Sequence, residues 1–261
     1  MGNTKKLGVV LSGGGARGFA HLGLLQVLEE MNIQPEIISG TSAGAIAAAF
    51  YADGFKPNEI VDILMERSFI RYAELSLPRS GGIMRLTGIK SLLEKKLKSK
   101  NIEDLKIPVI ICATNMNTGE SVFFSEGPLV ERVLASASIP VIFQLIEIDG
   151  YQFADGGVLN NMPVEPIKDK VDVILGVNVT APSEKKNLRS VFEIAERSFH
   201  LSISSNLSVQ SRLCDHYIEM PELMDYSLLK SSQGKEIFDV GYMKAKKYFK
   251  DHPLDLGQEE S

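Results

Sequence analysis

Ser42 stands in Gly40-Thr41-Ser42-Ala43-Gly44, a G-x-S-x-G with an alanine-rich segment behind it. After a strand and before a helix, that spacing thrusts a serine hydroxyl forward at a tight turn, the setting of an acyl-transfer nucleophile. Such a serine needs a base, and the chain has four histidines. His21 lies in the helical pattern HLGLL, where packing or capping accounts for it. His252 is in the polar tail. An α/β-hydrolase orders its residues Ser, acid, His and carries its elbow after a later strand, so only His200, in a long helix, or His216, after Asp215, could serve. The best-placed carboxylate is Asp155, which ends YQFAD and precedes Gly156-Gly157. Asp-Gly-Gly is also ordinary Asx-turn chemistry. The apolar strand before it, the Asn160-Asn161-Met162-Pro163 run after it and the shortage of other bases favour a Ser42–Asp155 dyad.

A second glycine cluster, Gly13-Gly14-Gly15-Ala16-Arg17-Gly18, follows the apolar run LGVVLS. It satisfies G-x-G-x-x-G between strand and helix, the dinucleotide fingerprint, so a nucleotide-binding protein is the rival from another class. The fingerprint expects an acidic residue ~20 positions on, at the end of the second strand. Here that strand ends in Ser39-Gly40, and Glu36 is at its wrong end. Acyl transfer uses the same glycines differently: backbone N–H groups near a helix N-terminus converge on a developing oxyanion.

Both clusters sit at strand ends, where open α/β sheets place their ligands. Short apolar runs (LGVVLS, PEIISG, PVIICATNM, DVILGVNV) alternate with helical patterns, the signature of β-α-β units around a mainly parallel sheet. Helices are expected through HLGLLQVLEEM, AGAIAAAFYADG, NEIVDILMER after Pro57, IKSLLEKKLKSK, LVERVLASAS, Leu188 to Arg212, and GKEIFDVGYMKAKKYF. Asp149-Gly150 signals a hairpin between IEI and YQFAD. SFIRYAELSLPRSGGIMRLTG, residues 68–88, reads as irregular and as either a mobile cap or a core plug. Its Phe69, Ile70, Leu75, Leu77, Ile83, Met84 and Leu86 supply lipid-compatible apolar surface. One domain over 5–250 is expected, with a polar tail over 251–261.

At 261 residues and 44% hydrophobic content the chain can build a full core. A net charge of −5 and a pI near 5.5 argue against nucleic acid as a partner. Cys112 and Cys214 show no metal-like spacing and read as core thiols in a reducing compartment. No signal peptide, myristoylation motif or ~20-residue apolar span is present, which points to a cytoplasmic protein, peripheral at most to the inner face of a membrane. Lys95, Lys96, Lys98 and Lys100 suit either anionic headgroups in a transient membrane-surface contact or a solvated helix face.

The ordered motifs GGGARG, GTSAG and DGG, with the block ASASIPVIF (Ala135 to Phe143), resemble the patatin-like phospholipases, in the compact bacterial branch related to the neuropathy target esterase domain. The resemblance runs from about Leu7 to about Phe249. It implies a three-layer α/β/α fold with a central mainly parallel sheet, and a serine acyl hydrolase acting on lipid or other acyl esters without metal or cofactor. By position it makes Ser42 the nucleophile, Asp155 the proton acceptor, and Gly13, Gly14 and Gly15 the oxyanion loop, with Arg17 as a helper. Gly18, Gly40, Gly44, Gly156 and Gly157 complete the motifs, with glycine in DGG where many relatives carry alanine. Phospholipid, lysophospholipid, acylglycerol and acyl thioester all remain open as substrates. The alternatives are a catalytically weak lipid-binding regulator and, less favoured, a nucleotide-binding protein using the GGGARG loop.

Overall fold

Burial on both faces explains why LGVVL, VIICATN and VILGVN are nearly continuous apolar runs rather than alternating ones. They form the central strands in a computed structural model that describes residues 4–66, 74–75, 82–181, 191–228 and 231–257. Strand β1 (Leu7–Leu11) leads through the glycine turn and a 3-10 stretch, Gly15–Gly18, into helix α1 (Phe19–Glu30). Strand β2 (Ile37–Thr41) turns at Ser42 into α2 (Ala43–Ala52), and Pro57 opens α3 (Pro57–Met65). Next come β3 (Glu74–Leu75), β4 (Gly82–Arg85), α4 (Thr87–Lys96), the hairpin of β5 (Val109–Asn115) and β6 (Glu120–Phe124), α5 (Leu129–Ser136) and β7 (Val141–Phe143). A second hairpin joins β8 (Ile146–Ile148) to β9 (Tyr151–Asp155), and β10 (Val173–Asn178), α6 (Val191–Gln210), β11 (His216–Glu219) and α7 (Gly234–Asp251) follow. Asp149 and Gly150 between β8 and β9 have φ of 52° and 81°, as a type I′ turn demands.

The strands β11-β10-β1-β2-β5 pair in parallel in that order, while β6, β8 and β9 add antiparallel pairs. Successive side chains of β1 point to opposite faces. Val9 and Leu11 join a large core with α1, α2, α3, α4, α5 and α7. Val10 faces Met162, Val164, Ile203 and Leu207, the cover supplied by α6 and the segment before β10. This is the expected three-layer arrangement, with one helical layer much thicker than the other.

The pairing around β5 positions the site. Residues 111–115 of β5 pair with β6 along one edge. The other edge is shared: β2 pairs with Val109 to Cys112, and β9, running the opposite way, pairs with Ala113 to Asn115. The C-terminal ends of β2 and β9 therefore meet head-on, Thr41 opposite Cys112 and Asp155 opposite Ala113. Ser42 and Asp155 leave the sheet at one point although they are far apart in sequence.

Three expectations change in detail. The stretch expected to be irregular contains β3 and β4, which join β7 in a separate small sheet. Strands of two and four residues are too short to show an alternation. Phe69, Ile70 and Leu77 lie outside the described residues, as do the side chains of Leu75, Ile83 and Met84; Leu86 is buried. The long helix is described from Val191 to Gln210 and ends in a 3-10 turn, Ser211–Leu213; Leu188 lies outside the described residues. Cys112 is buried and Cys214 half-buried, both as free thiols. Among the described residues no helix is long and apolar enough to cross a membrane.

Candidate active site

Ser42 occupies φ 53°, ψ −118°, a conformation that costs a non-glycine residue about 1–3 kcal/mol and persists only where the surroundings enforce it. The flanking glycines let the chain double back. A Cβ on Gly40 would lie 2.7 Å from the carbonyl carbon of Gly44, and one on Gly44 would lie 2.2 Å from the Leu11 carbonyl oxygen. Both obstacles are backbone, so they cannot rotate away. Gly44→Ala is expected to destabilise the protein by about 3 kcal/mol or more, read as a lowered urea midpoint at unchanged slope. An unchanged midpoint would show that the turn is looser than these distances require.

The Ser42 amide is already committed. It donates to Ser136 Oγ at 2.8 Å, and that hydroxyl donates to the Cys112 carbonyl at 2.6 Å. Ser136, at the end of α5, thus ties the elbow to β5. Nothing local in ASASIPVIF marks this role, because the partner is reached only through the tertiary fold.

Asp155 is 1% exposed. Its Oδ1 accepts the Gly157 N–H at 2.8 Å, so the Asx turn is present. Among the described residues, its Oδ2 is buried with no hydrogen-bond partner. The Ser42 hydroxyl lies near enough to draw the carboxyl pKa downward. Burial dominates and lifts Asp155 to about 7, with the Ser42 and Gly157 contacts opposing it. A carboxylate with its pKa near neutrality is matched to proton transfer at that pH.

The glycine loop is braced on several sides. The Ser12 hydroxyl donates to the Gly13 carbonyl and accepts the Val179 N–H. His21 is fully buried and its Nε2 lies 2.8 Å from the Ser12 carbonyl. A carbonyl only accepts, so Nε2 carries the hydrogen. Burial depresses the His21 pKa to about 4, with the Ser12 contact opposing, and the ring is a neutral strut of this loop. The Gly13 N–H is spent on the Asn161 carbonyl at 3.2 Å, and the Ala16 N–H on Leu228 at 2.7 Å. Arg17 is buried and sends Nε to the Tyr226 carbonyl and Nη2 to that of Met224, both at 3.0 Å. That guanidinium pins the 224–226 segment to the loop. Among the described residues, the amides of Gly14 and Gly15 have no protein acceptor. Gly15 has φ +54°, and a Cβ there would meet the Leu228 carbonyl oxygen at 2.2 Å.

His216 sits in β11, separated from β2 by β10 and β1, with its ring against Tyr248. His252 stacks on the same tyrosine. The backbone of His200 lies in α6; its side chain is outside the described residues.

Ser42 opens onto two spaces. A small cavity is bounded by Gly13, Gly14, Ser42, Asp155, Asn161 and Thr180. An apolar cleft beside α1 and α2 is walled by Phe19, Leu22, Ile46, Leu64, Ile89 and Phe143. Gly18 lets the two helices approach, since a Cβ there would lie 2.5 Å from that of Ala43. Among the described residues no group of three or more His, Cys, Asp or Glu side chains is placed to hold a metal ion.

Residues 9–168 match the family model described as patatin-like phospholipase. The chain belongs to that family. It is similar to an uncharacterised NTE family protein of Mycobacterium tuberculosis, 34% identical over 168 residues, which cover 63% of this chain and 46% of that protein. It is also similar to the lysophospholipase nte1 of Aspergillus fumigatus, 27% identical over 94% of this chain and 18% of that protein. The chain therefore spans less than half the length of these relatives. Among solved structures, VipD from Legionella pneumophila shares the patatin fold with a TM-score of 0.53 at 18% identity, over 95% of this chain and 67% of that one.

Proposed function

We propose that this patatin-like protein is a serine hydrolase of lipid acyl esters, with Ser42 as nucleophile and Asp155 as general base. The observation that carries the proposal is the placement of a strained serine, in the lining of an apolar cleft, beside a buried carboxylate of raised pKa. The cleft suits an acyl chain, and the family and its lysophospholipase relative favour a phospholipid or lysophospholipid. In the first half-reaction Ser42 Oγ attacks the ester carbonyl while Asp155 Oδ2 takes its proton. The carbonyl oxygen gains negative charge, which the free amides of Gly14 and Gly15 stabilise. The alcohol leaves with the proton from Asp155, and water then hydrolyses the acyl-serine. We assign the elbow, cavity and cleft to one hydrolase domain over 5–250.

A fluorophosphonate tests this directly, because it reacts only with an activated hydroxyl beside an oxyanion site. One adduct on the peptide containing GTSAG is expected. No adduct, or one elsewhere, would sink the proposal, since neither a silent lipid-binding regulator nor a nucleotide-binding protein would react. The pH profile is a second test. Asp155 must be ionised to accept a proton, so kcat/KM should fall about tenfold per unit below its pKa of about 7 and level off above it. A profile flat from pH 5 to 8 would remove Asp155 as the base.

A further inference from the structure

Among the described residues, two buried acceptors of the residues lining the small cavity have no hydrogen-bond partner: Oδ2 of Asp155 and Oδ1 of Asn161, the latter residue 1% exposed. The orientation of the Asn161 amide follows from a hydrogen-bond chain that begins at the sheet edge. The Glu219 carboxylate offers only lone pairs, so the NH2 end of Asn178 must face it, at 3.0 Å. Asn178 Oδ1 is thereby left to accept both the Thr180 N–H and the Thr180 hydroxyl, at 2.9 and 2.8 Å. A hydroxyl that has given away its proton can only accept, and the Asn161 NH2 donates to it at 3.1 Å. Asn161 Oδ1 is therefore turned toward the site. It lies 2.5 Å from where a Cβ of Gly13 would stand, a point 3.2 Å from Ser42 Cβ. It lies 2.9 Å from the corresponding point on Gly157, which is 3.1 Å from Asp155 Oδ1. The oxygen thus lies near both the serine and the carboxylate, among the residues that line one small cavity at the lower limit of the space a water needs.

Resting on the hydrolase assignment above, we infer that Asn161 is the residue that positions the deacylating water. One water donates one hydrogen to Asn161 Oδ1 and the other to Asp155 Oδ2, leaving its lone pairs for the acyl carbon on Ser42. The C–O bond forms as Asp155 takes the water proton. The tetrahedral intermediate collapses by breaking the bond to Ser42 Oγ, which recovers that proton, and a free carboxylic acid departs. Acylation needs Asp155 but has no use for Asn161 Oδ1, so the two half-reactions depend on the asparagine differently.

The test is the full chain with p-nitrophenyl butyrate, following the p-nitrophenol burst and the butyryl adduct by intact mass. Asn161→Ala should label with fluorophosphonate and release its burst at close to the wild-type rate, then deacylate about 10²-fold more slowly, so that butyryl-Ser42 accumulates. Thr180→Val keeps Asn161 but frees its amide to turn, and should show the same defect to a smaller degree. If burst rate and labelling fall together with turnover in both variants, Asn161 supports the fold or the first half-reaction and the inference is overturned. Unchanged deacylation overturns it as well. Failure of the wild type to acquire any adduct would instead remove the hydrolase assignment on which it rests.

Discussion

Asp155→Asn should lower kcat on a lipid or p-nitrophenyl ester by about 10² to 10⁴ or more while the fold persists, because shape is kept and the basic oxygen is lost. Oδ1 of the new amide can still accept from the Gly157 N–H, as the carboxylate does at 2.8 Å. The contrast with the histidines gives this result its meaning. His216→Gln alters a ring packed on Tyr248 in the edge strand β11, separated from β2 by β10 and β1, and His200→Gln a residue of α6. Each should change the rate by less than about tenfold, about 1.4 kcal/mol of barrier. If Asp155→Asn stayed active while either histidine variant matched Ser42→Ala, with all of them folded by circular dichroism, the dyad would be wrong. A Ser-His arrangement would then have to be found on this fold.

The parts that were legible in the sequence are those whose physics is local. A strand, a glycine turn and a helix can be read from GVVLSGGGARG because turn chemistry and periodicity act over a few residues. Asp149-Gly150 announced its hairpin for the same reason. The meeting of Ser42 with Asp155 is different in kind. It depends on β9 running antiparallel into the line of β2 along one edge of β5, and no spacing within either motif encodes that register. The same holds for Ser136, which secures the Ser42 amide, and for the Gly13 amide, which the Asn161 carbonyl consumes. The Arg17 contacts belong to the same class: its guanidinium donates to the carbonyls of Tyr226 and Met224, a segment remote in sequence.

A buried carboxylate that serves as a base should weaken the fold at the pH where it works. For Asp155 the folded pKa is about 7 and the reference value 3.8. Below pH 4 the carboxyl is neutral in both folded and unfolded chains and costs nothing. As pH rises from about 4 to 7 the unfolded chain releases its proton while the folded one holds it, so stability falls with pH over that window and levels off above it. One pKa unit corresponds to 1.36 kcal/mol, so the penalty at pH 8 reaches at most about 4 kcal/mol. Asp155→Asn removes it, and its NH2 would face the Ser42 oxygen and Asn161 Oδ1, both able to accept. The variant should therefore melt roughly 10 °C above wild type at pH 8, and the two should converge at pH 4. A melting temperature lowered equally at both pH values would show that the carboxylate is well satisfied where it lies, and that its raised pKa is not the source of its basicity.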